Sequence, residues 1–374
     1  MLKVLFWTSG GLIAYTHAGY GLLLTALVRL RPTVPGPPPP AEPPPSVSLI
    51  VAAYDEEDVI AQKVADARAL DYPADRLELI VASDGSSDAT VQRARAAGAD
   101  RVLELPRGGK IRAQDASVAL ARGDVLAFSD ANSTWQPDAL RRLVEPFADP
   151  MVGYVCGQVR FVGAEGGNEE GAYWRYETSL RALESRLAGI TAGNGAIYAV
   201  RRAAYVRMDP RMGHDLSFPF TMIKRGWRAL YQPEARAEKK MVPSLEDEWA
   251  RKRRMMSHAW PIVVCDGLLS PRGYGPLYAL QIVSHRVLRY LTPFLHVVLL
   301  GANLGLARHG RPYRLALAGQ VAVLAMAALE SRVGARPLRL ARYYVLMTAS
   351  IAAGGWDWLR TGTAAGWEKA EGTR

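Results

Sequence analysis

The chain has 374 residues, 49% of them hydrophobic, two cysteines and a formal net charge of +10. That length can bury a sizeable core and hold more than one domain, while Cys156 and Cys265, far apart and without metal-ligand spacing, exclude a disulfide scaffold and a structural zinc site. The positive charge comes without any nucleic-acid recognition motif, so no nucleic-acid partner is expected. Its arginines instead flank apolar runs (Arg29, Arg31, Arg286, Arg289, Arg332, Arg336, Arg339, Arg342), as anchoring against anionic lipid on a cytoplasmic face produces.

Residues 4–28 contain no Lys, Arg, Asp or Glu and exceed the ~20 residues that cross the hydrocarbon, which predicts a transmembrane helix over residues 1–30. A cleaved signal peptide would have an apolar stretch of about 7–15 residues and a small-residue cleavage site, whereas this run ends at Arg29-Leu30-Arg31. His17, inside the run, is given no role. A proline-rich linker follows over 31–45; its core PGPPPPAEPPP can form neither helix nor sheet and reads as a semi-rigid polyproline spacer.

From residue 46 to 260 the pattern alternates. SLIVAA, LELIVAS and DVLAFSD read as buried strands. Ile60, Val64 and Ala67 mark a helix after the first, Ser87 can cap a helix ended by Gly98, and Pro137 can open one carrying Leu140, Leu143, Val144 and Phe147. Then come an extended segment (VGYVCGQVRFV), a helix near 169–187, the loop Gly193-Asn194-Gly195 and a strand, AIYAV. Such alternation predicts an α/β domain on an open, mostly parallel sheet, with its site at the carboxyl ends of the strands. Residues 261–285 mix Gly, Pro and apolar groups and predict an interfacial segment. The remainder, 286–374, predicts about three further spans, near 287–307, 313–331 and 343–360.

The strand ends gather acids: Asp55 after the first, Asp84 in SDGSSD after the second, Asp130 in Ser129-Asp130-Ala131-Asn132 after the third. No G-x-G-x-x-G follows the first strand, which argues against a dinucleotide fold. Carboxylates facing a diphosphate repel it unless a divalent cation stands between, and hard cations take oxygen ligands.

In this order and at these spacings the set resembles the family 2 glycosyltransferases, over roughly residues 47–260. The resemblance implies a GT-A-type nucleotide-sugar fold, with Ala53, Tyr54, Asp55 and Glu56 lining the nucleobase pocket and Asp84 bonding base or ribose. It implies Lys110, in Gly108-Gly109-Lys110, beside the nucleotide oxygens. The D-x-D metal element of the family corresponds to Asp130-Ala131-Asn132, in which an amide replaces the second acid, so the expected metal ligands are Asp130 and Asn132 and the expected cofactor is Mg2+ or Mn2+. The family's acidic catalytic pair matches His214-Asp215, with only the Asp kept, and Arg254 matches the arginine of a Gln-x-x-Arg-Trp motif whose Gln and Trp are absent. The Gly193-Asn194-Gly195 loop is similar to the one near donor sugar and acceptor.

The resulting expectation is an inverting hexosyl transfer from a nucleotide-diphosphate sugar, a UDP-sugar by family resemblance, to a lipid-linked or saccharide acceptor. Asp215 would be the general base in a multi-pass protein of the cell membrane whose catalytic domain is cytoplasmic. Two alternatives stand beside it: a processive polysaccharide synthase, and a non-catalytic nucleotide-sugar-binding membrane protein.

Overall fold

In the computed structural model the apolar runs of the middle region assemble into one sheet of eight strands, with the helices packed on both faces. The structure describes residues 1–30, 42–162, 169–240 and 245–363; most of the proline-rich linker, residues 31–41, lies outside the described residues.

The chain begins with α1 (Leu2–Leu30), which carries a π turn at Tyr15–Gly19. The catalytic-size domain then runs β1 (Val47–Ala53), α2 (Glu57–Arg68), β2 (Leu77–Asp84), α3 (Thr90–Ala96), β3 (Arg101–Leu105), α4 (Lys110–Leu120), β4 (Val125–Asp130), β5 (Ser133–Trp135), α5 (Ala139–Val144), β6 (Val152–Val162), α6 (Glu169–Leu187), β7 (Ile197–Arg201), α7 (His214–Lys224), β8 (Arg228–Lys240) and α8 (Leu245–Val264). The strand order is β3-β2-β1-β4-β7-β6-β8-β5. Parallel pairing joins β3, β2, β1 and β4 and also β6 to β8, while β7 and β5 pair antiparallel.

All five strands expected from the apolar runs form. β1, β2 and β4 are nearly wholly buried, as strands covered on both faces must be. The carboxyl ends of β1, β2 and β4 lie side by side, and that is where an open α/β sheet presents its crevice. One cap differs from expectation. The helix before Gly98 starts at Thr90, whose N–H is taken by the Asp88 carboxylate at 3.0 Å, while Ser87 turns its N–H and hydroxyl to Asp55 Oδ1. Gly98 does end the turn, at a φ of +91° open to glycine.

Beyond the sheet come α9 (Pro276–Leu306, with a π turn at Ile282–Val287), α10 (Arg311–Val333) and α11 (Arg336–Thr361). Among the described residues three helical stretches are long and apolar enough to cross a membrane: Leu2–Leu30, Pro276–Leu306 and Arg311–Glu330. They expose large apolar side chains, Leu22, Val297 and Leu315 each above 70%. Two expectations change. The second span begins at Pro276, inside the segment expected to lie flat. The third C-terminal candidate, 343–360, belongs to a helix bearing Arg336, Arg339, Arg342, Asp357 and Arg360, and it packs along α8 rather than standing as an apolar span. Gly354 and Gly355 permit that contact: a Cβ on Gly354 would come within 2.5 Å of the Arg253 carbonyl, and one on Gly355 within 2.7 Å of Trp260. Trp260 Nε1 donates to Ile351 O at 2.8 Å, and Arg253 grips Asp357 through two hydrogen bonds of 2.6 and 2.7 Å.

Candidate functional site

A cavity of about 430 Å3 opens over the strand ends and runs to the apolar helix α9. Of the expected site residues, Ala53, Tyr54, Glu56, Asp84, Lys110, Asp130, Asn132, Gly193, Asn194, Gly195, Asp215 and Arg254 line it. Asp55 does not line it. It follows β1 with a φ of +47°, a left-handed conformation rare outside glycine, asparagine and aspartate. Its carboxylate fastens Ser87, so it joins the β1 and β2 loops instead of facing the opening.

Asp84 ends β2 almost fully buried, with both oxygens engaged. Oδ1 accepts from the N–H of Gly108 (2.7 Å) and Gly109 (2.9 Å), and Oδ2 from Arg107 Nη1 (2.7 Å). The Arg107 guanidinium in turn lies 3.4 Å from the centre of the Tyr54 ring, a cation–π contact. Asp84 therefore folds the Arg107-Gly108-Gly109 loop over the pocket instead of presenting bare oxygens to a ligand. Gly85 lets that loop approach, since its φ is +74° and a Cβ there would lie 2.8 Å from the Arg107 nitrogen.

That loop delivers Lys110 to the start of α4, where its Nζ donates to Asp130 Oδ1 at 2.5 Å. Lys239, from the end of β8, donates to Asp130 Oδ2 at 3.0 Å. Burial acts to raise the Asp130 pKa, but the two ammonium groups override it and hold the carboxyl well below its ordinary range. Beneath this turn the buried Lys63 donates to the Ser133 carbonyl at 2.6 Å, and burial pushes its pKa down to about 7 against the pull of Asp130.

For a divalent cation the strand end offers a carboxylate, Asp130, and an amide, Asn132, two residues apart, both with the oxygen chemistry hard cations accept. Among the described residues no group of three or more His, Cys, Asp or Glu could hold a metal. The pair fits a cation that takes its remaining ligands from a bound diphosphate and water, and no closed protein cage stands ready.

Asp215 sits in the first turn of α7. Burial raises its pKa above the usual carboxylate value, against the pull of Lys110 and the N–H of Leu216. Its backbone carbonyl accepts from Gly193 N–H at 2.6 Å, which fixes the loop to the helix. Gly193 has no alternative here, because a Cβ would fall 2.1 Å from the buried Tyr154 hydroxyl. Asn194 is spent on structure: Nδ2 donates to Gly157 O and Cys156 Sγ, and Oδ1 accepts from the N–H of Ala196 and Ile197. His214 is 3% exposed, hydrogen-bonded to the Tyr198 hydroxyl at 2.8 Å and enclosed by Phe128, Tyr205 and Phe218. Burial and Lys110 hold its pKa well below 6.5, so it stays neutral at pH 7 as part of an aromatic core.

On the far wall α8 brings Arg251, Lys252 and Arg254 to the cavity. Glu248 partly offsets the first two, at 2.7 Å from Arg251 and 3.7 Å from Lys252. Arg253 points away, to α11. Sequence reasoning missed Lys239, which sits in a strand whose alternating charges, EARAEKK, hide it. It also missed Arg181, a buried cation in the cavity wall, and read Arg286 only as flanking an apolar run, where the structure places it half-buried in the same wall.

The sequence model of Glycosyl transferase family 2 matches residues 48–227, from β1 to the residue before β8. An N-acetylglucosaminyltransferase of Rhizobium meliloti is 26% identical over 250 residues, covering 58% of this chain and 58% of that protein. The beta-monoglucosyldiacylglycerol synthase of Synechocystis is 34% identical over 170 residues, 40% of this chain and 33% of that one. The chain thus spans little more than half the length of the first of these relatives and a third of the second. A mannosyltransferase from Pyrobaculum calidifontis, solved with GDP-Man and Mn2+, superposes with a TM-score of 0.72 over 96% of this chain and 99% of its own, at 23% identity. That likeness is one of fold, and it reaches past the matched domain into the terminal helices. Residues 48–227 thus match the family 2 glycosyl transferases, and the chain has the GT-A-type α/β fold that its strand ends foreshadow.

Proposed function

We propose that the protein transfers a sugar from a nucleotide-diphosphate sugar to an acceptor hydroxyl with inversion, using Asp215 as general base. The observation that carries this reading is the convergence of one partly buried carboxylate and a set of cations on a single cavity. Lys110 and Lys239 stand at the strand ends, Arg254 with Arg251 and Lys252 opposite, and Asp215 between them on α7. Ala53, Tyr54, Glu56 and Arg107 wall the nucleotide end, with Asp55 and Asp84 holding their loops in place. The acceptor oxygen attacks the anomeric carbon, its proton passes to Asp215, and the bond to the diphosphate breaks. The cations stabilise the negative charge that develops on the leaving group. Asp130 and Asn132 would hold Mg2+ or Mn2+, which when bound screens the diphosphate. A raised pKa suits Asp215 to its task, since a base nearer neutrality is a better proton acceptor.

The acceptor is a lipid or a saccharide. A relative named for a glucosyldiacylglycerol product and three apolar helices support a lipid one. The donor base is uridine on family resemblance, and a guanosine donor is equally compatible with the Tyr54–Arg107 wall. The catalytic domain faces the cytoplasm, on the strength of Arg29 after the first span. Release of nucleoside diphosphate by the purified chain, offered UDP- and GDP-sugars with lipid extracts, tests the activity; no release with any donor would sink it. Single cysteines on the exposed face of the domain should react with an impermeant reagent only after lysis.

A further inference from the structure

The membrane-side end of the cavity holds charges that donor binding does not use. α6 contributes Glu177, Arg181 and Glu184, and α9 contributes His285, Arg286 and Arg289. Glu177, Arg181, Glu184 and His285 are each no more than 5% exposed. Glu184 accepts from Tyr20 (2.7 Å), from Thr191 and from His285 Nδ1 (2.7 Å). Glu177 pairs with Arg289 and faces His285 Nε2 at 3.4 Å. Arg286 Nε donates to the Thr191 hydroxyl at 2.9 Å.

Arg181 is left over. One nitrogen donates to Gly193 O at 3.1 Å; Nε and Nη1 have no acceptor, and among the described residues no carboxylate pairs with it. The rings of Trp174 and Tyr231, each 5.5 Å away, hold the guanidinium without neutralising it. Three guanidinium groups, Arg181, Arg286 and Arg289, thus meet two carboxylates, Glu177 and Glu184. A buried charge without its counter-charge is costly unless an anion arrives to meet it.

The place of that surplus says what the anion belongs to. Arg181 and Arg286 line the cavity together with Met256, Ala259, Ile262 and Tyr290, an apolar wall leading toward α9. Arg181 also stands one residue from the proposed base, because Gly193 accepts from it and donates to Asp215. The diphosphate has its own cations at the other end of the cavity.

We propose that Arg181 and Arg286 bind an anionic group of phosphate type carried by a lipid acceptor, whose apolar chain leaves past Ile262 and Tyr290 toward the bilayer. This deepens the transferase reading and rests on it only for the word acceptor; the binding site can be tested alone. The full chain in neutral detergent would be titrated calorimetrically with decyl phosphate, inorganic phosphate and neutral decyl maltoside, with UDP and GDP titrated in parallel. Decyl phosphate should bind, inorganic phosphate at least tenfold more weakly, and decyl maltoside not at all. Arg181→Gln and Arg286→Gln should each weaken decyl phosphate tenfold or more and leave nucleoside diphosphate affinity unchanged. Should Arg181→Gln fail to fold, Arg181→Lys and Arg286→Gln carry the same comparison. Equal binding of decyl phosphate to wild type and variants, or no preference over decyl maltoside, overturns the site. Inorganic phosphate binding as tightly as decyl phosphate overturns the lipid. Failure of both nucleoside diphosphates to bind counts against the transferase reading and leaves the decyl phosphate result standing.

Discussion

At the donor end of the cavity the acids are already satisfied: Asp84 is bonded on both oxygens by the Arg107-Gly108-Gly109 loop, and Asp130 by Lys110 and Lys239. At the membrane end the acids are satisfied too, but a cation, Arg181, is not. On the proposed reading the donor end has its carboxylates fixed and its ammonium groups ready to turn to a diphosphate, while the other end has a positive surplus beside an apolar wall. The first arrangement suits a ligand that brings its own charge and leaves each cycle. The second suits a ligand that stays anchored beside the site.

The largest effect that tests this contrast is at the point where the two ends meet. Asp215→Asn keeps the volume and removes the proton acceptor, so transfer should fall by about a hundredfold or more, with nucleoside diphosphate affinity unchanged by calorimetry. In the wild type the acid limb of the rate should lie above the ordinary aspartate range, because burial raises this carboxyl and its protonated form cannot act. A limb at or below that range, or full activity in Asp215→Asn with none in His214→Ala, would move the base elsewhere.

Next comes the loop joining the ends. Gly193→Ala places a methyl on the buried Tyr154 hydroxyl, and relief of such overpacking typically costs about 1–3 kcal/mol. The melting temperature should drop, and displacement of the loop from Asp215 should slow transfer by roughly tenfold to a hundredfold. An unaltered rate would show that the loop does not set the geometry of the base.

At the donor end alone, Asn132→Asp adds a charged oxygen ligand and should tighten Mn2+ by about tenfold, read as the metal concentration for half-maximal nucleotide binding. Wild-type turnover in excess chelator would remove the cation altogether. The smallest effect belongs to the membrane end. Tyr20→Phe deletes one of the hydrogen bonds to Glu184 and should cost about 1 kcal/mol, visible as a modest fall in melting temperature with donor affinity intact.

The strand-end cluster was legible in the sequence because its residues sit at the ends of strands whose apolar runs announce themselves, and each acid follows such a run directly. β3 and β8 were not legible. RVLEL lies at the sheet edge, half exposed along its length, and β8 alternates charged residues with small apolar ones; with β8 went Lys239. The roles of Asp84 and Asn194 also needed the structure, since only folding reveals that loop N–H groups or strand carbonyls already occupy them. The membrane end was illegible for a different reason. RYETSLRALESRL carries charges on every face and reads as a solvated helix, yet it is buried by α1 and α9, which lie more than a hundred residues away in sequence. The stretch 343–360 misled in the opposite sense, its paired glycines, Gly354 and Gly355, serving close contact with α8.

That contact limits how the molecule could be recombined. α8 carries the cations facing the cavity on one side and, on the other, Arg253 and Trp260, which grip Asp357 and the Ile351 carbonyl of α11. A chimaera that borrowed the terminal helices of a relative would have to import Gly354, Gly355 and Asp357 equivalents as a set. Without them α8 would be lifted by a side chain's width, and the cations with it. The two halves should therefore be inherited as one unit, with Arg253, Trp260, Gly354, Gly355 and Asp357 changing together across relatives.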